Sequence, residues 1–166
     1  NLGLPRFDEA EFTARFPFGA VRLKDPALPV EVELTGWSPF IPGETDNSCL
    51  PAAGLEYRFR NTGERPVEAV FSFHAANFMR TQTPGHSVKK LSNGLVFHQP
   101  GTEEKPWDEG TCHIEADAPD VTVNPAWFRG RWFDALTMVW RTIAGGESPD
   151  GEDISEGAPS PGGSLY

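Results

Sequence analysis

Glu31 and Glu33 stand two apart in "VEVELT" and are the first residues whose type and spacing could do chemistry. Cleaving a bond between sugars takes two carboxyl groups across it, about 5 Å apart for retention and farther for inversion. At strand rise the two Cα atoms lie roughly 6.8 Å apart on one face. That face reads as a solvent-facing edge, where acids usually only hydrate. Glu103, Glu104, Asp108 and Glu109 crowd a polar loop and make no stronger pair. No residue is assigned as catalytic.

Metal and nucleophile chemistry is equally thin. His74, His86, His98 and His113 show neither helical i, i+4 spacing nor a His-x-His pattern, and Cys-x-x-Cys is absent. Zinc therefore has no support. Glu44, Asp46 and Asn47 lack the dense acidic pattern of a calcium loop. Cys49 and Cys112 are expected as two buried free thiols, with a disulfide between them as the alternative in a secreted protein, and neither shows a nucleophilic pairing with a histidine. No metal and no cofactor is implied.

The tryptophans carry more information. Trp37 and Trp107 sit in loop-like settings where a flat apolar ring could stack on a sugar, so both are candidates for substrate binding. Trp127, Phe128 and Trp132, with Trp140, form an aromatic cluster better suited to core or interface packing. The first three are assigned to a domain interface.

These residues must be held by something, and the pattern is that of strands. Val30, Val32 and Leu34 alternate with Glu31, Glu33 and Thr35; Leu55, Tyr57 and Phe59 alternate with Glu56, Arg58 and Arg60. A period of two with one polar face marks a half-buried antiparallel strand. "VEAVFSFH" repeats the alternation through Val67, Ala69, Phe71 and Phe73, and a turn at 61–66 predicts a hairpin with the strand before it. Asn93 and Gly94 predict a second hairpin, since both residues accept positive φ. With further runs at 18–23, 112–116 and 121–123 the count reaches roughly seven or eight strands, suiting an all-β antiparallel sandwich.

One segment departs from the alternation. Around 125–143, Asn124 is expected to cap a helix beginning at Pro125, with Trp132, Phe133, Leu136, Val139, Trp140 and Ile143 at helical spacing and Gly145 and Gly146 stopping it. Residues 145–163 are Gly-, Pro-, Ser- and acid-rich and predict a flexible loop, with "SLY" opening another strand. The stretch "GWSPFIPGETDNSCLP" at 36–51 is proline-rich yet apolar. It is expected to cross from sheet to sheet, with Phe40 and Ile41 anchored in the core.

The chain has 166 residues, enough to bury roughly 70% of its unfolded surface. Its net charge of −10 disfavours nucleic acid and anionic membranes, which need a basic stripe. A neutral ligand remains compatible. No targeting or membrane-spanning segment is evident, so the compartment is left open.

The string "FPFGAVRLKDPALPVEVELTGWSPFIPGETDNSCLPAAGLEYRFRNTGERPVEAVFSF", with the looser "AWFRGRWFDALTMVW", resembles the N-terminal domain of glycoside hydrolase family 116. That family of β-glucosidases includes the non-lysosomal glucosylceramidase, or bile acid β-glucosidase. The resemblance implies that residues 1–166 are an incomplete N-terminal β-sandwich domain. Further strands would follow Tyr166, and then a toroidal helical domain holding the retaining nucleophile and the acid/base. The implied partner is that downstream catalytic domain, with a glucoside as the ligand of the whole. The alternative is a stand-alone carbohydrate-binding or adhesion sandwich.

Overall fold

A computed structural model describes residues 4–130, 132 and 134–166. Among them, ten strands form three antiparallel sheets, and one helix exceeds a single turn. The chain is all-β, as the alternation predicts. It divides into two compact units, one ending at Ala69 and the other running over Val70–Tyr166.

The first unit is one four-stranded meander, β1 (Glu9–Arg15), β2 (Phe18–Lys24), β3 (Val30–Trp37) and β4 (Gly54–Asn61), paired in that order. A turn with a cis Phe16–Pro17 peptide joins β1 to β2, and Arg15 pairs directly with Phe18. Registers carry the alternation across all four strands. Ala10, Leu23, Val32 and Phe59 form one row on an apolar face, and Phe12, Val21, Leu34 and Tyr57 form the next. Val32, in the middle, is buried, whereas Phe12 is 69% exposed and Leu55 and Phe59 are also exposed.

Two expectations for this unit are corrected. Residues 36–51 do not cross between sheets: β3 and β4 are direct neighbours, Trp37 opposite Gly54, so the stretch is a long hairpin loop within one sheet. A one-turn helix α1 (Thr45–Ser48) sits inside it. The Ser48 hydroxyl donates to the Ile41 carbonyl at 3.1 Å and accepts the Ile41 N–H at 3.0 Å, closing the loop locally. Phe40 and Ile41 are therefore exposed, not core. Glu31 and Glu33 lie on an interior strand rather than an edge.

The second unit is a small two-sheet sandwich. One sheet has the order β5 (Phe73–Ala76), β10 (Gly162–Leu165), β9 (Val123–Asn124); the other runs β6 (Ser87–Lys90), β7 (Gly94–Gln99), β8 (Gly110–Glu115). Val88, Leu95 and Phe97 of the second sheet meet Val123 and Leu165 of the first in a closed core. β10 is fully buried at the centre of its sheet. Its glycines explain how: a methyl on Gly163 would strike Leu95, and one on Gly162 would strike Trp127.

The hairpin across 61–66 does not form. Residues 67–72 lie outside any strand, and β5 pairs with β10 instead of β4. The hairpin near Asn93 does form, but not by positive φ, since Gly94 opens β7. Its Cβ would collide with the Ile114 carbonyl of β8, so glycine serves close strand approach. Asn93 extends the ladder, its amide donating to the Ala116 carbonyl and its carbonyl accepting the Ala116 N–H, both at 3.0 Å.

The helix starts later than Asn124 predicts. Asn124 belongs to β9, and its Oδ1 accepts the Ala126 N–H at 2.9 Å. Helix α2 spans Ala135–Ala144 behind Asp134, whose carboxylate accepts the Thr137 N–H at 2.8 Å and the Thr137 hydroxyl at 2.6 Å. These bonds hold the Asp134 carboxyl below the usual carboxylate range. Phe133 lies outside the described residues. Gly145 and Gly146 end the helix as expected, Gly146 with φ 73°.

The segment expected to be a free loop through 163 is fastened and ends sooner. Lys90 Nζ meets Asp150 at 2.6 Å, the Lys90 N–H meets Asp153 at 2.7 Å, and Gly151 N–H meets the Val123 carbonyl at 3.1 Å. The hydrogen bond between them raises the Lys90 pKa and lowers that of Asp150. Gly162 and Gly163 are already strand.

Candidate functional site

The face of the β1–β4 sheet opposite the apolar one is ordered in rows. At one end Arg15, Phe18, Trp37 and Gly54 lie side by side, followed by Thr13, Ala20, Thr35 and Glu56. Next come Glu11, Arg22, Glu33 and Arg58 in alternating sign, then Glu9 and Lys24 with Glu31 and Arg60. Ion pairs bind the rows: Glu11 with Arg22 at 3.7 Å, Glu31 with Lys24 at 3.2 Å and Arg60 at 4.0 Å, and Glu56 with Arg58 at 3.0 Å. Glu31 is thus ion-paired, while Glu33 stands in register between Arg22 and Arg58.

The aromatic end differs in kind. Trp37 is 42% exposed, and a methyl on Gly54 would run into its indole, so the ring lies across the bare backbone of β4. Phe16, from the first turn, packs edge-on against Phe40 of the long loop at 4.7 Å. An open groove of about 510 Å³ runs beside them, lined by Thr13, Arg15, Phe16, Phe18 and Ala20. Of these only Trp37 is picked out by sequence reasoning. Its row-mate Arg15 depends on β1, whose "EAEFTAR" does alternate through Ala10, Phe12 and Ala14 but is too charged to stand out.

Trp107 belongs to the second unit, on a 3₁₀ turn Pro106–Asp108, and is 75% exposed. Its frame is fixed. Asp108 Oδ2 accepts hydroxyls from Thr81 (3.2 Å) and Thr83 (2.5 Å), while buried Gln99 accepts the Thr81 N–H and donates to the Thr83 carbonyl, both at 3.0 Å. Trp37 and Trp107 therefore occupy different units and are not described as one site.

The three residues assigned to an interface diverge. Trp127 is 4% exposed and packs on β10. Its N–H donates to Ser160 Oγ at 2.9 Å, and its indole N–H to Ser164 Oγ at 2.8 Å. Phe128 is partly exposed, and Trp132 is 92% exposed.

Ser164 also meets His74 Nδ1 at 2.8 Å, and His74 Nε2 meets Ser72 Oγ at 2.8 Å. A serine beside a histidine suggests a nucleophile and its base, yet Ser164 is wholly buried at the centre of a sheet. The indole donates to Ser164, whose hydroxyl can donate in turn to Nδ1 of a neutral imidazole with its proton on Nε2. Burial lowers the His74 pKa in the same direction. The network is structural.

Cys49 and Cys112 are free thiols, but Cys49 is exposed rather than buried, because its loop stays on the surface. Among the described residues no three His, Cys, Asp or Glu side chains converge as a metal would require, and no helix is long and apolar enough to cross a membrane.

No curated protein matches the chain. The family model described as beta-glucosidase 2, glycosyl-hydrolase family 116 N-term, matches residues 3–163, and the chain belongs to that family as an N-terminal domain of its glycoside hydrolases.

Proposed function

We propose that this domain is a non-catalytic scaffold of a β-glucosidase of the glucosylceramidase type, and that it packs against and supports a downstream helical catalytic domain. The observation that carries this reading is the open apolar face of the β1–β4 sheet, where Phe12, Leu55 and Phe59 are exposed in register. Contiguous apolar surface of this kind marks a protein contact. Trp132, almost fully exposed, adds an aromatic anchor of the sort that dominates interfaces. Glu11, Glu31 and Glu56 are held in ion pairs and Asp108 clamps a loop, which suits support rather than bond cleavage.

The test is hydrolysis of p-nitrophenyl β-glucoside by the 166-residue chain and by the whole polypeptide that carries it. Turnover is expected from the whole alone. In the whole enzyme Trp132→Ala is expected to lower thermal stability while leaving KM for the glucoside unchanged. Turnover by the chain itself would overturn the proposal.

A further inference from the structure

The aromatic end of the polar sheet face has a composition and flatness that scaffolding does not require. Trp37 lies over Gly54, so one side of the indole rests on backbone and the other faces solvent. Phe18 stands next to it in the same row and is exposed. The following row brings the hydroxyls of Thr13 and Thr35 alongside, with Ala20 between them to keep the surface low. Phe16, packed edge-on against Phe40, lines the groove as a further aromatic ring.

Charge decides what such a surface would take. The chain as a whole is strongly acidic, at −10. On this face, however, Glu9, Glu11, Glu31, Glu33 and Glu56 are matched one for one by Arg15, Arg22, Lys24, Arg58 and Arg60. The face is neutral in sum, five acids against five bases, so it offers no net attraction to an anion or a cation. A fixed aromatic ring flanked by hydroxyls on a neutral plane complements a neutral pyranose, whose C–H side packs on the indole while its hydroxyls meet threonines and Arg15. We propose that Phe18, Trp37, Thr13 and Thr35 form a platform for a neutral pyranose oligosaccharide.

The experiment is titration of the 166-residue chain with cellotetraose, and with tetragalacturonate as its acidic counterpart, read by tryptophan fluorescence and NMR shifts. Saturable binding of cellotetraose is expected, with tetragalacturonate at least about tenfold weaker. Trp37→Ala should weaken cellotetraose at least about tenfold, the scale of losing a central aromatic contact. Trp37→Phe should restore part of the affinity. If Trp37→Ala fails to fold, Trp37→Phe and Phe18→Ser decide, each expected to bind measurably less well than the wild type. Absence of saturation in the folded wild-type chain, unchanged affinity in a folded Trp37 variant, or equal binding of tetragalacturonate would overturn the proposal. So would burial of Trp37 against protein in the whole enzyme. Hydrolytic activity is not read here, so failure of the platform leaves the scaffold proposal standing, and the reverse.

Discussion

The two units bury apolar side chains by different means. In the second, two three-stranded sheets close on Leu95, Phe97, Val123 and Leu165, and even its buried polar groups are paired, as Gln99 and Ser164 show. In the first, one sheet sorts most of its residues into a polar and an apolar face and leaves Phe12, Leu55 and Phe59 on the outer strands of the apolar face exposed. Alternation decides which side of a strand is apolar; a second layer is needed to make that side a core. Large apolar residues should therefore count heavily for stability in one unit and lightly in the other.

The largest expected effect follows from that contrast. Phe97→Ala removes a fully buried ring and should cost about 3–5 kcal/mol, whereas Phe12→Ala should cost well under about 1 kcal/mol in the isolated chain. Urea unfolding with NMR probes in each unit checks both. Equal losses would mean that the first unit has a core of its own.

A smaller effect is expected from Ser164→Ala, which strands the Trp127 indole N–H and removes the hydroxyl partner of His74 Nδ1. Leaving buried polar groups unpaired should cost about 1–3 kcal/mol, confined to the second unit. Thermal unfolding of that unit gives the number.

How much of this is legible from sequence depends on where partners lie. β3 and β4 are clear because their alternation is clean and they adjoin. Residues 67–73 alternate just as well, but the pattern does not name a partner. The strand that pairs with Phe73–Ala76 is "GGSL" near the other end of the unit, too short and glycine-rich to signal itself except through the "SLY" that follows the loop. The helix boundary misleads because Asn124 and Pro125 satisfy every local rule for a start, while Asn124 pairs with Ser164 in β9. Among the candidate site residues, Trp37 and Trp107 are visible as exposed aromatics. The row of Phe18, Thr13 and Thr35 beside Trp37 is set by register, which no local pattern encodes.

Next in size is the helix cap. Asp134→Ala should loosen the first turn of α2 by freeing the Thr137 N–H, read as faster amide exchange there. The smallest effect is in pH. The lowered His74 pKa means that the unfolded chain takes up a proton at higher pH than the folded one. Stability of the second unit is then flat above the unfolded histidine value near 6.5, falls as pH drops toward the folded value, and levels off below it. His74→Gln should flatten that slope in a melting series, and it should leave the first unit unchanged.

The scaffold reading turns on whether the open faces are covered when the enzyme is whole. The direct measurement is hydroxyl-radical footprinting of Phe12, Leu55, Phe59 and Trp132 in the 166-residue chain and in the complete polypeptide. Strong labelling in the chain and clear protection in the complete enzyme are predicted. Equal labelling in both would contradict the assignment of these surfaces to contact with the rest of the enzyme.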